Sequence, residues 1–140
     1  MLEMKETLNL HNDINEVPLL GEWVETIGEQ FELPMPAVFQ INLALEEAVV
    51  NVMNYAYPGK EGMPVRIAAE KADAAVVFTL EDDGVAFDPT QAESPDISLD
   101  VEERPIGGLG IFLVKEIMAD VAYQRQGDTN ILTMTYKPSC

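Results

Sequence analysis

The sequence predicts an α+β fold, a two-layer sandwich in which helices pack on one face of a mixed, mostly antiparallel sheet. One observation is a pair of strand-like segments, residues 65–70 and 75–80, separated by a short turn. A second such pair, residues 121–126 and 130–136, closes the chain. The third observation is the recurrence of apolar residues every three or four positions between and before these hairpins, which is typical of amphipathic helices.

The elements follow in the order β-α-α-β-β-loop-α-β-β. Residues 5–10 alternate polar and apolar side chains and predict a short edge strand. Apolar residues over 14–31 recur with helical spacing and predict the first helix. A proline-rich break follows, and a second helix is predicted over residues 37–55, ending at Pro58-Gly59.

The remaining segments are a long loop, a third helix and two turns. Residues 71–73 suit a hairpin turn, and Gly127-Asp128 suits the last one. From Asp82 to Arg104 the chain is rich in Asp, Glu, Pro and Ser, which predicts a long, functional loop. Glycines then open a helix over 111–118. We expect one domain spanning residues 1–140.

The net charge of the chain limits the kinds of ligand that it can bind directly. Of the 140 residues, 8 are Lys or Arg and 25 are Asp or Glu, so the formal net charge is −17. A surface this acidic repels phosphates and anionic lipids, which argues against direct binding to nucleic acid or membrane. An anionic nucleotide would need a metal ion and aimed backbone amides.

Composition excludes several kinds of site. Cys140 is the only cysteine and His11 the only histidine, so a disulfide, a cysteine zinc cluster and a Ser-His-Asp triad are all disfavoured. No apolar run is long enough to span a membrane, and the first residues lack the pattern of a signal peptide. The expected location is the cytoplasm.

The second predicted helix carries a polar stripe. Glu47, Asn51 and Asn54 align at helical spacing beside the apolar face. A carboxylate one turn before a carboxamide can orient a hydroxyl nucleophile and ligate a hard cation. Taken alone, the stripe also fits an ordinary solvated helix face.

Two further segments could contact a nucleotide. Asp82, at a strand end before Gly84, can accept a hydrogen bond from an exocyclic amine, although it also fits a plain acidic turn. Consecutive glycines at a helix start expose amides suited to phosphate. Arg104 precedes them and could reach a terminal phosphate or pair with a neighbouring glutamate. The glycine segment comprises Gly107, Gly108, Leu109 and Gly110.

The order and spacing of these segments resemble the N box and the two glycine boxes of the GHKL ATPase superfamily, which has the Bergerat or histidine-kinase-like ATPase fold. The boxes are EAVVN from Glu47, DDGVA from Asp82 and GLG from Gly108. The NYAYP ending of the second helix and the segment GGLGIFLVK look like those of bacterial anti-sigma factor serine/threonine kinases. The resemblance covers nearly the whole chain.

The resemblance implies a role for each matching residue. Glu47 would be the general base and Asn51 the magnesium ligand. Asp82 would bind the adenine amino group, with Gly84 and Ala86 shaping the pocket. Ala86 departs from the family pattern, which has a second glycine there.

Other positions are also implied to contact ATP or ADP. The glycine segment would meet the phosphates, chiefly at Gly108 and Gly110. Residues 88–106 would form the ATP lid, from which Arg104 would approach the γ-phosphate. Asn54 would add a further nucleotide contact, and Tyr55 is placed near the nucleotide without assigned chemistry.

The resemblance further implies an ATP- and Mg²⁺-dependent kinase that holds a sigma factor inactive and phosphorylates a STAS-type anti-anti-sigma protein, working as a homodimer. Two alternatives stay open: a regulator that binds ATP without transferring phosphate, and a stand-alone histidine-kinase ATPase domain. His11 lies outside a dimerisation helix, which disfavours the latter. A purely structural adaptor does not explain the three boxes.

Overall fold

The computed structural model describes residues 4–91 and 108–138. Within them, the predicted α+β sandwich is confirmed. The helices are α1 (Val17–Gln30), α2 (Met35–Tyr55) and α3 (Gly108–Ile117). The strands are β1 (Met4–His11), β2 (Pro64–Ala72), β3 (Ala75–Asp82), β4 (Asp120–Gln126) and β5 (Thr129–Tyr136). Single turns of 3-10 helix occupy Ile14–Glu16 and Pro89–Gln91.

The five strands form one sheet in the order β1-β2-β3-β5-β4. All four pairings among the described strands are antiparallel, so the sheet lacks the parallel component that "mixed" implied. This follows from the connections, because each of the pairs β2–β3 and β4–β5 is joined by a tight hairpin. The end of β3 and the start of β5 lie side by side in the sheet, where Asp82 pairs with Asn130.

One face of the sheet is buried beneath the helices. In β3 and β5 every second residue is buried, and these inward side chains join those of α1, α2 and α3 in a single apolar core. Phe78 of β3 and Leu45 of α2 are fully buried within it. The opposite face carries polar side chains such as Arg66 and Thr79, which are only partly buried. Any ligand site of the inward face must therefore lie where the helices leave it uncovered.

Several boundaries differ from the predicted ones for local reasons. Helix α2 begins at Met35 because Pro36 falls in its first turn, where no backbone N–H is needed. Lys71 and Ala72 belong to β2, and the turn is moved to Asp73-Ala74 because Asp73 adopts a positive φ of 54°. Helix α3 includes Gly108, which the sequence placed in a preceding turn.

Candidate nucleotide site

A narrow cleft opens between helices α2 and α3 and the inward face of β3 and β5. It contains about 440 Å³ of empty space, part of it open to solvent. Its wall combines apolar side chains with a few polar groups, as ligand sites commonly do. The lining residues are Ala48, Asn51, Val52, Tyr55, Ala56, Leu80, Asp82, Phe87, Pro89, Ile111, Tyr123, Asn130 and Leu132.

The carboxylate of Asp82 lies in this cleft and is only 4% exposed. Its Oδ1 accepts hydrogen bonds from the backbone N–H of Gly84 and the side-chain amide of Asn130, both at 2.9 Å. No hydrogen bond to Oδ2 is found within residues 4–91 and 108–138. A carboxylate with one internally bonded oxygen and one open oxygen offers an acceptor to a ligand.

Gly84 brings the turn after β3 against the end of helix α2. A Cβ atom added at Gly84 would lie 2.1 Å from the carbonyl oxygen of Ala56. That same oxygen accepts a hydrogen bond from the Val85 N–H at 2.8 Å. Only glycine permits this approach, so the turn is fastened to α2 at the mouth of the cleft.

A second set of bonds fastens the turn from outside the cleft. The buried Tyr57 hydroxyl donates to the Pro64 carbonyl at 2.6 Å and accepts from the Asp83 N–H at 2.7 Å. Burial raises the pKa of Tyr57, so the hydroxyl keeps its proton for this role. Arg66 donates to both carboxylate oxygens of Asp83, each at 3.0 Å, and Thr129 donates to one of them.

The Asp83–Arg66 pair predicts an acid-dependent loss of stability. The hydrogen bonds from Arg66 hold the pKa of Asp83 below its usual value. The pair therefore stabilises the fold fully above the unfolded-state pKa of about 4, and this contribution is lost as the pH falls through the folded-state pKa. It is modest because the Asp83 side chain is 39% exposed.

We therefore expect the wild type to lose more stability than Asp83→Asn as the pH falls below about 4. The check is the thermal unfolding midpoint of both proteins at a series of pH values. Asp83→Asn keeps the size of the side chain and removes the titrating group. Curves that run parallel through the acid range would contradict the assignment.

Helix α2 supplies the polar residues of the cleft's other side. Asn51 and Tyr55 line the cleft, and the Tyr55 ring lies 6.2 Å from that of Phe87, tilted by 30°. Glu47 stands one turn before Asn51, partly buried, and is not part of the wall. Asn54 is exposed and also outside the wall. The stripe predicted for the helix thus brings only Asn51 into the cleft.

The other predicted contacts are only partly described. Ala86 is exposed and does not line the cleft. Helix α3 begins at Gly108 and continues through Leu109 and Gly110, and its next residue, Ile111, lines the cleft. The side chains of residues 108–110, together with Arg104, Gly107 and most of the predicted lid, lie outside the described residues.

The described end of the lid segment is tied to α3. The Lys115 ammonium donates to the Thr90 carbonyl at 2.7 Å, which joins the helix to the turn Pro89–Gln91. Asp88 caps that turn by accepting from the Thr90 N–H at 2.9 Å. The bond from Lys115 to Thr90 ties this turn to the last turn of α3, where Lys115 lies.

The residues that line the cleft suit an adenine nucleotide. The open oxygen of Asp82 can accept from an amino group between apolar walls, as an adenine ring requires. In the part of the chain that the structure describes, no group of three or more His, Cys, Asp or Glu side chains is arranged to hold a metal ion. Magnesium in nucleotide sites is held by one or two protein oxygens together with phosphates, so the Asn51 amide oxygen fits it.

Sequence reasoning missed several wall residues, above all Asn130 and Tyr123. The signal for Asn130 was its position in β5, where alternation places it on the same face as Leu132 and Met134. A polar side chain on a buried face needs a partner, and such positions often belong to a site. Phe87 and Ile111 carried no chemical signal of their own.

No helix of the described chain is both long and apolar enough to span a membrane.

Curated relatives are kinases by name. The chain is 28% identical to the serine/threonine-protein kinase BtrW of Bordetella bronchiseptica over 113 residues, which cover 81% of this chain and 80% of that protein. It is 29% identical to the serine-protein kinase RsbW of Listeria monocytogenes over 102 residues. That second match covers 69% of this chain and 65% of the Listeria protein.

Solved structures show the same fold. The RsbU and RsbW domains of a Mycobacterium tuberculosis protein match 96% of this chain and 32% of that chain, with a TM-score of 0.69 and 14% identity. The histidine kinase domain of a blue-light activated histidine kinase from Erythrobacter litoralis matches 86% of this chain and 60% of that chain, with a TM-score of 0.51 and 16% identity.

The family follows from a match over most of the chain. The sequence profile described as "Histidine kinase-like ATPase domain" covers residues 10–136, from the end of β1 to the end of β5. The predicted GHKL resemblance is thereby confirmed. The chain belongs to the histidine kinase-like ATPase domain family.

Proposed function

We propose that this protein is an ATP-dependent serine/threonine kinase of the anti-sigma factor type. It binds a sigma factor and phosphorylates a STAS-type anti-anti-sigma protein. The observation that carries the proposal is the shared cleft: Asn51 of α2, Asp82 of β3 and Ile111 at the start of α3 line one space. Relatives named as serine kinases support the same activity.

The base would bind at the inner end of the cleft. Asp82 would accept a hydrogen bond from the adenine amino group through Oδ2, because Oδ1 is used internally. Apolar contacts from Leu80 and Leu132 flank this carboxylate in the cleft wall. Such a site distinguishes adenine from bases that lack the amino group, since those bases leave the buried carboxylate without a hydrogen-bond donor.

The phosphates would lie towards the start of α3. Helix N-termini favour anions through free amides and partial positive charge, and glycines at Gly108 and Gly110 would let phosphate approach the backbone. This offsets part of the chain's net charge of −17. The Asn51 amide oxygen would hold a magnesium ion, which when bound would neutralise part of the phosphate charge. Arg104 would approach the γ-phosphate from the lid.

The transfer step needs a base. Glu47 would accept the proton of the incoming serine or threonine hydroxyl as its oxygen bonds to the γ-phosphorus. The bond from that phosphorus to the β,γ-bridging oxygen breaks, and ADP leaves. Glu47 is partly buried, and none of the ion pairs within the described residues involves it. Positioning and electrostatics then account for most of the catalysis.

The acidic surface suits a partner with a basic patch, because charge complementarity steers association and selects partners. We propose the sigma factor and the STAS-type protein as those partners, a homodimer as the working form, and the cytoplasm as its location. Direct contact with nucleic acid is not part of the proposal.

A second candidate is a regulator that binds ATP and its partners without transferring phosphate. The position of Glu47 favours it, because the carboxylate lies outside the cleft wall while Asn51, one turn later, lies inside it. The two functions share the nucleotide site and differ only in the transfer step.

Radiolabelled ATP separates the two. We expect the wild type, with Mg²⁺, to label a serine or threonine of STAS proteins from the same genome. The measurement is phosphate incorporation after electrophoresis, with tight ATP binding verified separately by calorimetry. Binding of Mg-ATP with no labelling of any such protein would favour the regulator, and no binding at all would defeat both.

Asp82→Asn is expected to weaken adenine nucleotide binding by about 1–3 kcal/mol, or about fivefold to 150-fold in Kd. The amide presents a donor or a weaker acceptor where the amino group needs a strong acceptor. Calorimetric titration with ADP measures the change. Asp83→Asn is the matched control, because the neighbouring carboxylate faces Arg66 and Thr129 instead. Equal affinities for the two variants would refute the pocket assignment.

A further inference from the structure

We propose that Asn130 is a positioning residue for Asp82, and that Arg125 and Tyr123 hold it in that role. The arrangement leaves the Asp82–Asn130 pair with an open acceptor and no open donor, so it selects purines that carry a 6-amino group. This inference rests on the proposed ATP site and assigns part of its base selectivity to residues that act by orienting Asp82.

The first step is the pairing of the two residues. Asp82 and Asn130 are direct partners in the antiparallel pair β3–β5 and face the core. They are 4% and 6% exposed, and are the buried polar residues of the described chain. The Asn130 amide nitrogen donates to Asp82 Oδ1 at 2.9 Å. Their contact therefore lies in the cleft wall itself, beneath the proposed base.

The second step fixes the orientation of the Asn130 amide. Its nitrogen faces two acceptors, Asp82 Oδ1 and the Val85 carbonyl at 2.8 Å. Its oxygen accepts from an Arg125 Nη1 at 3.1 Å, and arginine can only donate. If the Asn130 amide were rotated by 180°, its nitrogen would face the Arg125 guanidinium, donor against donor. Its oxygen would then face Asp82 Oδ1 and the Val85 carbonyl, acceptor against acceptor. The Tyr123 hydroxyl therefore has to donate to the same Asn130 oxygen.

The third step concerns what remains available to a ligand. The Asn130 nitrogen is occupied by two acceptors, and Asp82 Oδ1 by two donors, Gly84 N–H and Asn130. The other carboxylate oxygen of Asp82, Oδ2, accepts no hydrogen bond from the described residues. An amino group at purine position 6 can donate to it, whereas an oxo group there would meet a buried carboxylate and lose its hydration.

The fourth step is the anchoring of the network. The Arg125 guanidinium also donates to the Gly84 carbonyl at 2.8 Å, and its Nε donates to the Gly127 carbonyl at 3.1 Å. One cation thus joins the β4–β5 hairpin to the turn that follows Asp82. This fixes the direction of the carboxylate relative to the cleft, which a pairwise contact alone would not do.

The experiment compares ATP with purine riboside triphosphate, which lacks the 6-amino group, and with inosine triphosphate. For the wild type we expect ATP to bind about tenfold to a hundredfold more tightly than either analogue. Asn130→Ala is expected to bring these ratios to about threefold or less, mainly by weakening ATP, while purine riboside triphosphate keeps its affinity within about threefold. Kd values from calorimetry give the ratios.

Tyr123→Phe tests the same network with a smaller change, because it removes a single donor to the Asn130 oxygen. We expect its ATP preference to fall by about fivefold, the typical effect of one hydrogen bond on affinity. Thr133→Val is the control, since Thr133 lies on β5, as Asn130 does, but its side chain faces the opposite side of the sheet. Its ratios should equal those of the wild type.

The outcomes distinguish this inference from the proposed function. Wild-type ratios in both Asn130→Ala and Tyr123→Phe, even with lowered thermal stability, would mean a merely structural role and would overturn the inference alone. If Asn130→Ala does not fold, an unchanged ratio in Tyr123→Phe still overturns it. A wild type that binds none of the three nucleotides would overturn the ATP site and this inference together.

Discussion

Replacing Glu47 by Gln is expected to slow phosphoryl transfer to the STAS-type substrate by about 10²–10⁴-fold. The amide has the size of the carboxylate but cannot accept the hydroxyl proton. ATP affinity should stay near the wild-type value, because Glu47 lies outside the cleft wall that would hold the nucleotide. Initial rates under saturating ATP, together with calorimetric Kd values, separate the two effects.

Glu46→Gln is the matched control for this variant. Glu46 is the preceding residue of helix α2 and is exposed, so its side chain leaves the helix about 100° away from that of Glu47. The control removes the same charge from the same helix and should keep the wild-type rate. Equal rates for the two variants would remove Glu47 from the mechanism and favour the ATP-binding regulator.

Measuring rate and affinity separately is informative because nucleotide binding and proton acceptance are assigned to residues in different positions relative to the cleft. Asn51 and Glu47 are one helical turn apart, yet only Asn51 reaches the wall. A base that lies beside the cleft can act when a substrate hydroxyl is delivered by a partner protein, since catalytic contacts often tighten only in the full complex. The protein substrate would then complete the active site.

Most of the fold could be predicted from local patterns. Strict alternation in β3 and β5 and three- to four-residue spacing in α1 and α2 each determine which face is buried, and packing those faces together requires one sheet under helices. The strand order was not predictable in this way, because β5 reaches its place between β3 and β4 through contacts distant in sequence.

The candidate site was predictable where a residue's chemistry is distinctive and its position is local. Asp82 at a strand end and Asn51 on a helix fall in this class, and both line the cleft. Asn130 fell outside it, because its role depends on the register that pairs it with Asp82. For Asn54, helical spacing gives only an approximate direction, and its contact with the nucleotide stays a prediction, since the side chain is exposed outside the cleft wall.

Gly84→Ala is expected to destabilise the protein by about 2–4 kcal/mol, the combined effect of overpacking and of a lost buried hydrogen bond. The new Cβ would meet the Ala56 carbonyl oxygen at 2.1 Å, and backbone cannot rotate away as a side chain can. The turn must withdraw from helix α2, which breaks the bond from the Val85 N–H to that oxygen.

The same displacement should weaken ATP binding, because the Gly84 N–H and the Arg125 contact to the Gly84 carbonyl both help to orient Asp82. Urea unfolding measures the stability change. Gly21→Ala is the control: among the described residues, its Cβ would meet only Asn42 Oδ1, at 3.7 Å, so alanine in helix α1 should be neutral or stabilising by up to about 1 kcal/mol. Two variants of equal stability would show that the turn does not depend on this close approach, and the site would then lose the constraint that holds its carboxylate against α2.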